Sequence, residues 1–220
     1  MKFSRITIAL TLFFAFLLQP TFASTQEEWS FLTEKQGIKV YSKSVTGSKV
    51  KALKVECVVN ATLSSMVTIL MDVPGTVKWV YHTKSCILLK RVSPAELYYY
   101  SEVSLPWPLE NRDFVAHVKV SQDKTSKVVT VEAPAIPGMV ADKKGIVRVQ
   151  HSIGYWTITP VDKNRVSVVY SLQVDPGGII PAWAVNALSS QGPIESFIKM
   201  KELLQHPEYK NAVLGFIQNY

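Results

Sequence analysis

The chain carries little charge: 19% of its 220 residues are Asp, Glu, Lys or Arg, whereas 47% are hydrophobic and 10% are aromatic. This composition excludes an intrinsically disordered protein, and the length is sufficient for one domain with a substantial core. Cysteine is also scarce, because only Cys57 and Cys86 are present, which excludes a disulfide scaffold and a cysteine-based zinc site. The two thiols either form one disulfide or remain separate on buried strands.

Catalytic and metal-binding signatures are missing as well. The sequence contains no G-x-S-x-G nucleophile elbow, no P-loop, no H-E-x-x-H and no G-x-G-x-x-G. The four histidines, His82, His117, His151 and His206, are far apart and show no i,i+4 spacing. We therefore expect no metal, no cofactor and no catalytic step.

The basic excess of the chain is modest and scattered. The formal net charge is +7, of which Lys2 and Arg5 contribute two charges at the very start. No basic run reaches the length of a nucleic-acid-binding tail, so we expect no nucleic-acid partner. The remaining positive charge favours a transient approach to an anionic membrane surface. Separately, we expect the protein to be a monomer.

The first 23 residues have the three parts of a secretory signal peptide. A basic start is followed by the apolar run Ile6–Leu18 and by small residues ending at Ala23. This run is shorter than the roughly 20 apolar residues that a transmembrane helix needs. We predict a signal peptide over residues 1–23 and a single mature domain over 24–220, exported to a bacterial periplasm or to the cell exterior. An uncleaved anchor is the alternative.

The rest of the chain predicts an α+β fold. A long run of strands between Cys86 and Val174 is followed by one long helix, Pro181–His206, bent at Gly192-Pro193. Before this run we predict a short helix Glu27–Gln36, strands Ile38–Tyr41 and Val50–Val59, a helix Leu63–Met71 capped by Thr62, and a second short helix carrying Val77 and Trp79. A strand meander of this length needs a cover for its apolar face, and only the terminal helix is long enough. We expect a curved antiparallel sheet wrapped around that helix.

Residue alternation indicates which side chains face the helix. The inward set is Leu97, Tyr99, Ser101, Val103, Arg112, Phe114, Ala116, Val118, Tyr170 and Leu172, and the outward set includes Glu96, Tyr98, Tyr100, Glu102 and Asp113. The inward set mixes large apolar with small and polar side chains. Such a surface either lines a cavity for a small molecule or forms a packed core.

Three ordered motifs resemble the START family, the steroidogenic acute regulatory protein-related lipid-transfer domains. They are P-W-P-L-E-N-R-D-F-V from Pro106, G-I-V-R-V from Gly145, and D-P-G-G-I-I-P-A-W-A-V-N from Asp175. They look closest to the phosphatidylcholine-transfer type, and the resemblance extends over about residues 29 to 204. It implies a helix-grip fold whose internal hydrophobic tunnel holds one lipid or other hydrophobic ligand without catalysis.

The resemblance also implies a set of ligand-contacting positions. These are Trp79, Leu97, Tyr99, Ser101, Val103, Arg112, Phe114, Ala116, Val118, Arg148, Trp156, Tyr170, Leu172, Trp183 and Asn186. Arg112 and Arg148 either bind a polar headgroup or form structural ion pairs, for instance with Asp113 or Asp175.

Charged headgroup-reading positions of the family look matched here by the uncharged residues Thr76, Val80, Tyr99 and Val118, and one aromatic of the family's choline-binding cage looks matched by Ser101. These departures suggest a weakly polar ligand. Two other functions remain open: a cyclase or hydrolase using Tyr99, Tyr170 or Arg112, and a ligand-sensing interaction module.

Overall fold

The computed structural model describes residues 28–46, 51–181, 184–185 and 187–220. Its strands are β1 Ser30–Lys35, β2 Ile38–Lys43, β3 Ala52–Val59, β4 Thr83–Ser93, β5 Glu96–Val103, β6 Asn111–Gln122, β7 Val129–Pro134, β8 Ile146–Arg148, β9 His151–Asp162 and β10 Arg165–Asp175. Its helices are α1 Leu63–Met71, a 3₁₀ turn Pro74–Lys78, a π-helical turn Ala187–Gln191, α2 Gly192–Leu203 and α3 Pro207–Lys210. The predicted signal peptide, Trp183 and Asn186 lie outside the described residues.

The strands form one ten-stranded sheet in the order β1-β2-β3-β10-β9-β7-β6-β5-β4, and β8 pairs with β6. The neighbours along this order are antiparallel, whereas β8 runs parallel to β6. The long strands from Cys86 to Val174 follow the predicted Val-, Tyr- and Thr-rich segments. The predicted curved antiparallel sheet with a C-terminal helix is therefore confirmed.

One face of the sheet, here called the inner face, packs against both helical segments. Leu63, Met66 and Ile69 of α1 are fully buried, and Phe197 and Met200 of α2 belong to the same core cluster as the inner strand residues. The Thr62 side chain caps α1 by accepting a hydrogen bond from Ser65 N at 3.1 Å, as predicted. The core therefore lies between the inner face and these helices.

The predicted opening helix is wrong. Ser30–Lys35 is strand β1, and it pairs with β2 from Lys35 opposite Ile38. Gln36 and Gly37 both have positive φ, 52° and 71°, which is the geometry of a two-residue hairpin turn. Gly37, a residue that also suits a helix terminus, closes this hairpin.

The predicted strand Val147–Ile158 is divided in two. β8 pairs with β6, and β9 begins only at His151, after Val149 N has donated a hydrogen bond to Asp113 O. The predicted terminal helix is also segmented, because Pro193 has no N–H and the π-helical turn passes into α2 at Gly192. α2 ends at Leu203 rather than at His206.

The cysteines are not paired. Cys57 on β3 and Cys86 on β4 are both free thiols, and their strands are far apart in the sheet order. The disulfide alternative is therefore wrong. Burial raises the pKa of each thiol to about 11.

The described part of the chain holds neither a membrane-spanning helix nor a cluster of metal-ligating side chains. No helix there has the length and apolarity to cross a membrane. In the same residues no group of three or more His, Cys, Asp or Glu side chains could hold a metal ion.

Candidate ligand site on the inner face of the sheet

The register of β5 and β6 brings the predicted inward residues together. Leu97 lies opposite Val118, Tyr99 opposite Ala116, Ser101 opposite Phe114, and Val103 opposite Arg112. Directly opposed residues of an antiparallel pair share a face, so the predicted alternation of these strands is confirmed. Tyr99 and Phe114 are also in edge-to-face contact, with ring centroids 6.0 Å apart.

An aromatic cluster occupies the middle of the inner face. The Trp156 ring stacks on Tyr170 at 4.2 Å and on Phe197 of α2 at 5.5 Å, and Trp79 approaches it edge-on at 6.4 Å. Trp156 and Tyr170 are opposite each other on β9 and β10. Two predicted site residues, Trp156 and Tyr170, thus contact a helix residue, Phe197, that sequence reasoning did not name, and Trp79 joins the cluster through Trp156. Phe197 could have been found from its helical spacing with Ile194, since both are buried on one side of α2.

The Tyr170 side chain reaches across the neighbouring strand. Its hydroxyl lies 3.5 Å from the position that a Cβ on Gly154 would occupy, and Ala133 lies just beyond at 3.7 Å from that position. Leu172, the next inward residue of β10, is opposite Gly154. The small residues at 133 and 154 therefore leave room for the hydroxyl end of Tyr170.

Tyr99 and Tyr170 are deeply placed but not fully enclosed by protein atoms. Burial raises the pKa of each phenol well above its ordinary value, although each side chain retains some accessible surface. Within the described residues neither hydroxyl has a hydrogen-bond partner. Neither hydroxyl oxygen belongs to the fully buried unpaired atoms of the described residues, so each keeps some accessible surface.

Two other inner-face polar atoms are buried without a hydrogen-bond partner among the described residues. Trp79 is only 6% exposed, and none of these residues accepts a hydrogen bond from its Nε1. Ser42, 2% exposed, lies opposite Leu53 on the inner side, and its Oγ is also unpaired within that part of the chain. Unpaired buried polar groups are rare in native proteins.

Arg112 lies at the end of the inner face and is engaged by backbone oxygens. Its guanidinium donates to the carbonyls of Glu110, Pro176 and Gly177, with Nη2 3.2 Å from the Gly177 oxygen. The side chain is 5% exposed, and burial lowers the pKa of the guanidinium. Arg112 thus joins the start of β6 to the loop before the terminal helix, and it makes neither of the ion pairs that were considered.

Arg148 does not lie with the inner-face residues, contrary to its predicted ligand contact. Its Nε is 2.6 Å from Asp113 Oδ1 and its Nη2 is 3.1 Å from Oδ2, in a bidentate pair on the opposite, outer face. The parallel pairing of β8 with β6 brings the residue there, with Asp113 in register with Arg148. The structural ion pair with Asp113, one of the two alternatives, is the arrangement observed.

The outer face of β5 and β6 is covered rather than open to solvent. Residues 135–149 cross it: Ile136 N donates to Val115 O, and Lys143 Nζ lies 2.9 Å from the Tyr100 hydroxyl. Tyr100 and Asp113 are therefore almost fully buried although they face outward. The alternation predicted their direction correctly, but it could not show this crossing segment.

A curved antiparallel sheet packed on a C-terminal helix, with an aromatic and weakly polar inner face, is a helix-grip fold. Comparison with known proteins then identifies the family. The family model of the START domain matches residues 17–210 of this chain. The chain belongs to the START domain family.

Among its relatives is an uncharacterised protein of Pseudomonas aeruginosa, 31% identical over 170 residues that cover 77% of this chain and 83% of the relative. The phosphatidylcholine transfer protein of Bos taurus is 29% identical over 178 residues, covering 78% of this chain and 81% of the bovine protein. Among solved structures, a STAR-related lipid transfer protein fragment from Xanthomonas axonopodis superimposes with a TM-score of 0.74 at 31% identity, covering 81% of this chain and 99% of that one.

Proposed function

We propose that this protein binds one lipid or similar hydrophobic molecule between the inner face of the sheet and the terminal helix, and carries it without a catalytic step. The observation that carries the proposal is the inner face itself, where aromatic side chains surround polar atoms that the protein leaves unpaired. Moving an apolar ligand from water onto such a surface yields about 25 cal/mol per Å² of buried area. Lipid-transfer proteins among the relatives support the same function.

The chemistry of the inner face favours carriage over catalysis. A cyclase or hydrolase would need a group that exchanges protons near neutral pH, and burial raises the phenol pKa of Tyr99 and Tyr170 away from that range. The guanidinium of Arg112 is already used by three carbonyls. Tyr99→Phe should therefore leave lipid transfer between vesicles measurable, whereas an enzyme using this hydroxyl would lose turnover completely.

The test of carriage is lipid extraction combined with native mass spectrometry of the purified protein. We expect a stoichiometric, extractable lipid, and we expect the delipidated protein to take up one molecule from vesicles. A protein that is purified empty and takes up nothing from a panel of phospholipids, neutral glycerides and sterols would contradict the proposal.

One end of the molecule has the composition of a membrane-contacting surface. Trp107 is 91% exposed and Ile179 is 90% exposed, on loops that Arg112 joins by binding the carbonyls of Glu110 and Gly177. Tryptophan prefers the membrane–water interface, and the exposed Lys144, three residues before the Val147 that lies beside Gly177, adds positive charge. We infer that this end meets the bilayer transiently while the lipid is exchanged.

Paired substitutions test the membrane contact. Trp107→Ala together with Ile179→Ala should slow lipid transfer between anionic vesicles several-fold, while the equilibrium occupancy of the protein stays the same. The control is Val213→Ala, which removes an 83% exposed apolar side chain from the C-terminal segment. Equal slowing by the control would show that this end has no special role.

The predicted export remains part of the proposal. If residues 1–23 are a signal peptide, the protein isolated from its source envelope begins at Ser24 and carries formal charge +5, because Lys2 and Arg5 are removed. Intact mass measurement after fractionation tests this. Recovery of the full-length chain from the cytoplasm would overturn it.

A further inference from the structure

Three of the inner-face polar groups that have no hydrogen-bond partner among the described residues lie around the aromatic cluster: Trp79 Nε1, the Tyr99 hydroxyl and the Tyr170 hydroxyl, here called the donor cluster. The Trp79 side chain is only 6% exposed, and its indole N–H has no acceptor among the described residues. An indole N–H can only donate, so whatever completes it must be an acceptor. The two phenols are protonated at neutral pH and can donate to the same region.

The three groups belong to one neighbourhood. Trp79 meets Trp156 edge-on, and Trp156 stacks on Tyr170. Tyr99 and Tyr170 both pack against the core cluster that contains Trp79 and Trp156. A single small group between β5, β10 and the 3₁₀ turn can therefore approach more than one donor.

Near the donor cluster the inner positions of the described strands β2 to β10 offer no close counter-ion for an anion. Arg112 lies at the end of the inner face, four residues along β6 from Ala116, and its guanidinium donates to three backbone carbonyls. Arg91 of β4, opposite Leu97, is exposed, and its Nη2 lies 3.5 Å from the Met71 carbonyl oxygen. A phosphate or carboxylate placed among these apolar residues would be buried without a counter-ion, at a cost of several kcal/mol. The bound acceptor is therefore uncharged.

We propose that the donor cluster binds the carbonyl oxygen of a neutral acyl ester, so that the part of the lipid lying deepest on the inner face is an uncharged ester rather than a charged headgroup. A carbonyl is an acceptor with two lone pairs, which suits an indole N–H and a phenol O–H converging on it. This inference rests on the proposed carriage of a lipid and adds the chemistry of the contact. An ordered water is the other acceptor that could complete Trp79.

The test follows the Trp79 indole N–H by ¹⁵N–¹H NMR while delipidated protein is titrated with dioleoylglycerol or with its dialkyl ether analogue, which lacks both carbonyls. We expect a downfield shift of the Trp79 signal with the diester and little change with the diether. Equal shifts with the two lipids, or none with a bound diester, would overturn the carbonyl assignment. A signal that is already at a hydrogen-bonded position and does not move indicates water and also overturns it.

Binding measurements on variants provide a second readout. Trp79→Phe should weaken binding of dioleoylglycerol about 5-fold, as expected for one neutral hydrogen bond, and leave binding of the diether nearly unchanged. Trp29→Phe is the matched control, because Trp29 lies beside β1 over Lys54, away from the aromatic cluster. If Trp79→Phe does not fold, Tyr170→Phe takes its place, and Phe variants of the remaining tryptophans assign the Trp79 signal.

The outcomes separate this inference from the proposed function. If a lipid without a carbonyl is extracted and the diester does not bind, the carbonyl assignment fails while carriage stands. If no lipid is extracted and no probe binds, carriage itself fails. If the diester binds, the Trp79 signal shifts and Trp79→Phe weakens that binding selectively, both are supported.

Discussion

The two faces of β5 and β6 differ in whether their polar groups have hydrogen-bond partners. On the outer face, Asp113 accepts two hydrogen bonds from Arg148 and one from the Tyr100 hydroxyl at 3.0 Å. On the inner face of the same strands, the Tyr99 hydroxyl has no partner among the described residues, and Trp79 Nε1 beside them has none either. On the outer face the polar groups are paired by neighbouring side chains, whereas on the inner face these two groups have no partner among the described residues.

The comparison teaches that position on the sheet, rather than residue type, decides the role of a tyrosine here. Tyr99 and Tyr100 are neighbours in sequence, and they point to opposite faces. Tyr100 is held between Asp113 and Lys143, and so it helps to fix the crossing segment 135–149. Tyr99 lies against Phe114 and retains a free hydroxyl.

The largest expected effect on stability comes from removing the ion pair between Arg148 and Asp113 on the outer face. Arg148→Met leaves the Asp113 carboxylate, 1% exposed, without its bidentate partner, which should lower the free energy of unfolding by about 3–5 kcal/mol. Chemical denaturation monitored by circular dichroism measures this. The control Arg165→Met removes the exposed pair with Asp162 and should cost about 1 kcal/mol or less. Similar losses for the two variants would show that the outer pair is not special.

The second prediction concerns a substitution that places a large side chain on the inner face. Ala116 lies opposite Tyr99 and is 2% exposed, so Ala116→Trp should occupy the space next to the Tyr99 ring and abolish lipid uptake, with a stability loss of about 1–3 kcal/mol. Uptake from labelled vesicles and thermal unfolding without lipid are the measurements. Unfolding of the lipid-free variant would instead mean that position 116 is packed core.

The smallest expected effect is the acid dependence of the outer face. Hydrogen bonding to Lys84, and then to Asn111, lowers the pKa of Glu102 below its ordinary value of 4.5. A carboxylate with a lowered folded pKa stabilises the fold above its unfolded pKa, and that contribution is lost as the pH falls through the folded value.

The wild type should therefore exceed Glu102→Gln in stability by about 1 kcal/mol near neutral pH, and the difference should shrink below about pH 4.5. Denaturation curves at a series of pH values give this difference. A gap that widens toward acid would reverse the assigned direction of the pKa shift.

Much of the architecture was predictable because strand alternation and turn residues are local signals. The inward set of β5 and β6 was confirmed pair by pair, from Leu97 opposite Val118 to Val103 opposite Arg112. The opening helix was wrong, since Gly37 suits a helix terminus and a two-residue hairpin equally well, and only pairing with β2 decides between them.

The site was less predictable, because its key properties depend on contacts between distant segments. No local pattern shows that Trp79 Nε1 lacks an acceptor, since this depends on Trp156, which lies far along the chain. The pairing of Arg148 with Asp113 similarly required β8 to lie parallel to β6. The motifs identify the segments that carry these residues, whereas their contacts depend on packing between distant parts of the chain.

The strand order has a consequence for how the protein is made. β1, β2 and β3 reach the rest of the sheet only through β10, whose Val166 pairs with Val59 about a hundred residues earlier in the chain. During synthesis the backbone groups of the β3 edge therefore remain unpaired until β10 has been synthesised. Such distant pairing slows folding and leaves this strand edge open to aggregation, so the nascent chain needs protection from aggregation over most of its length.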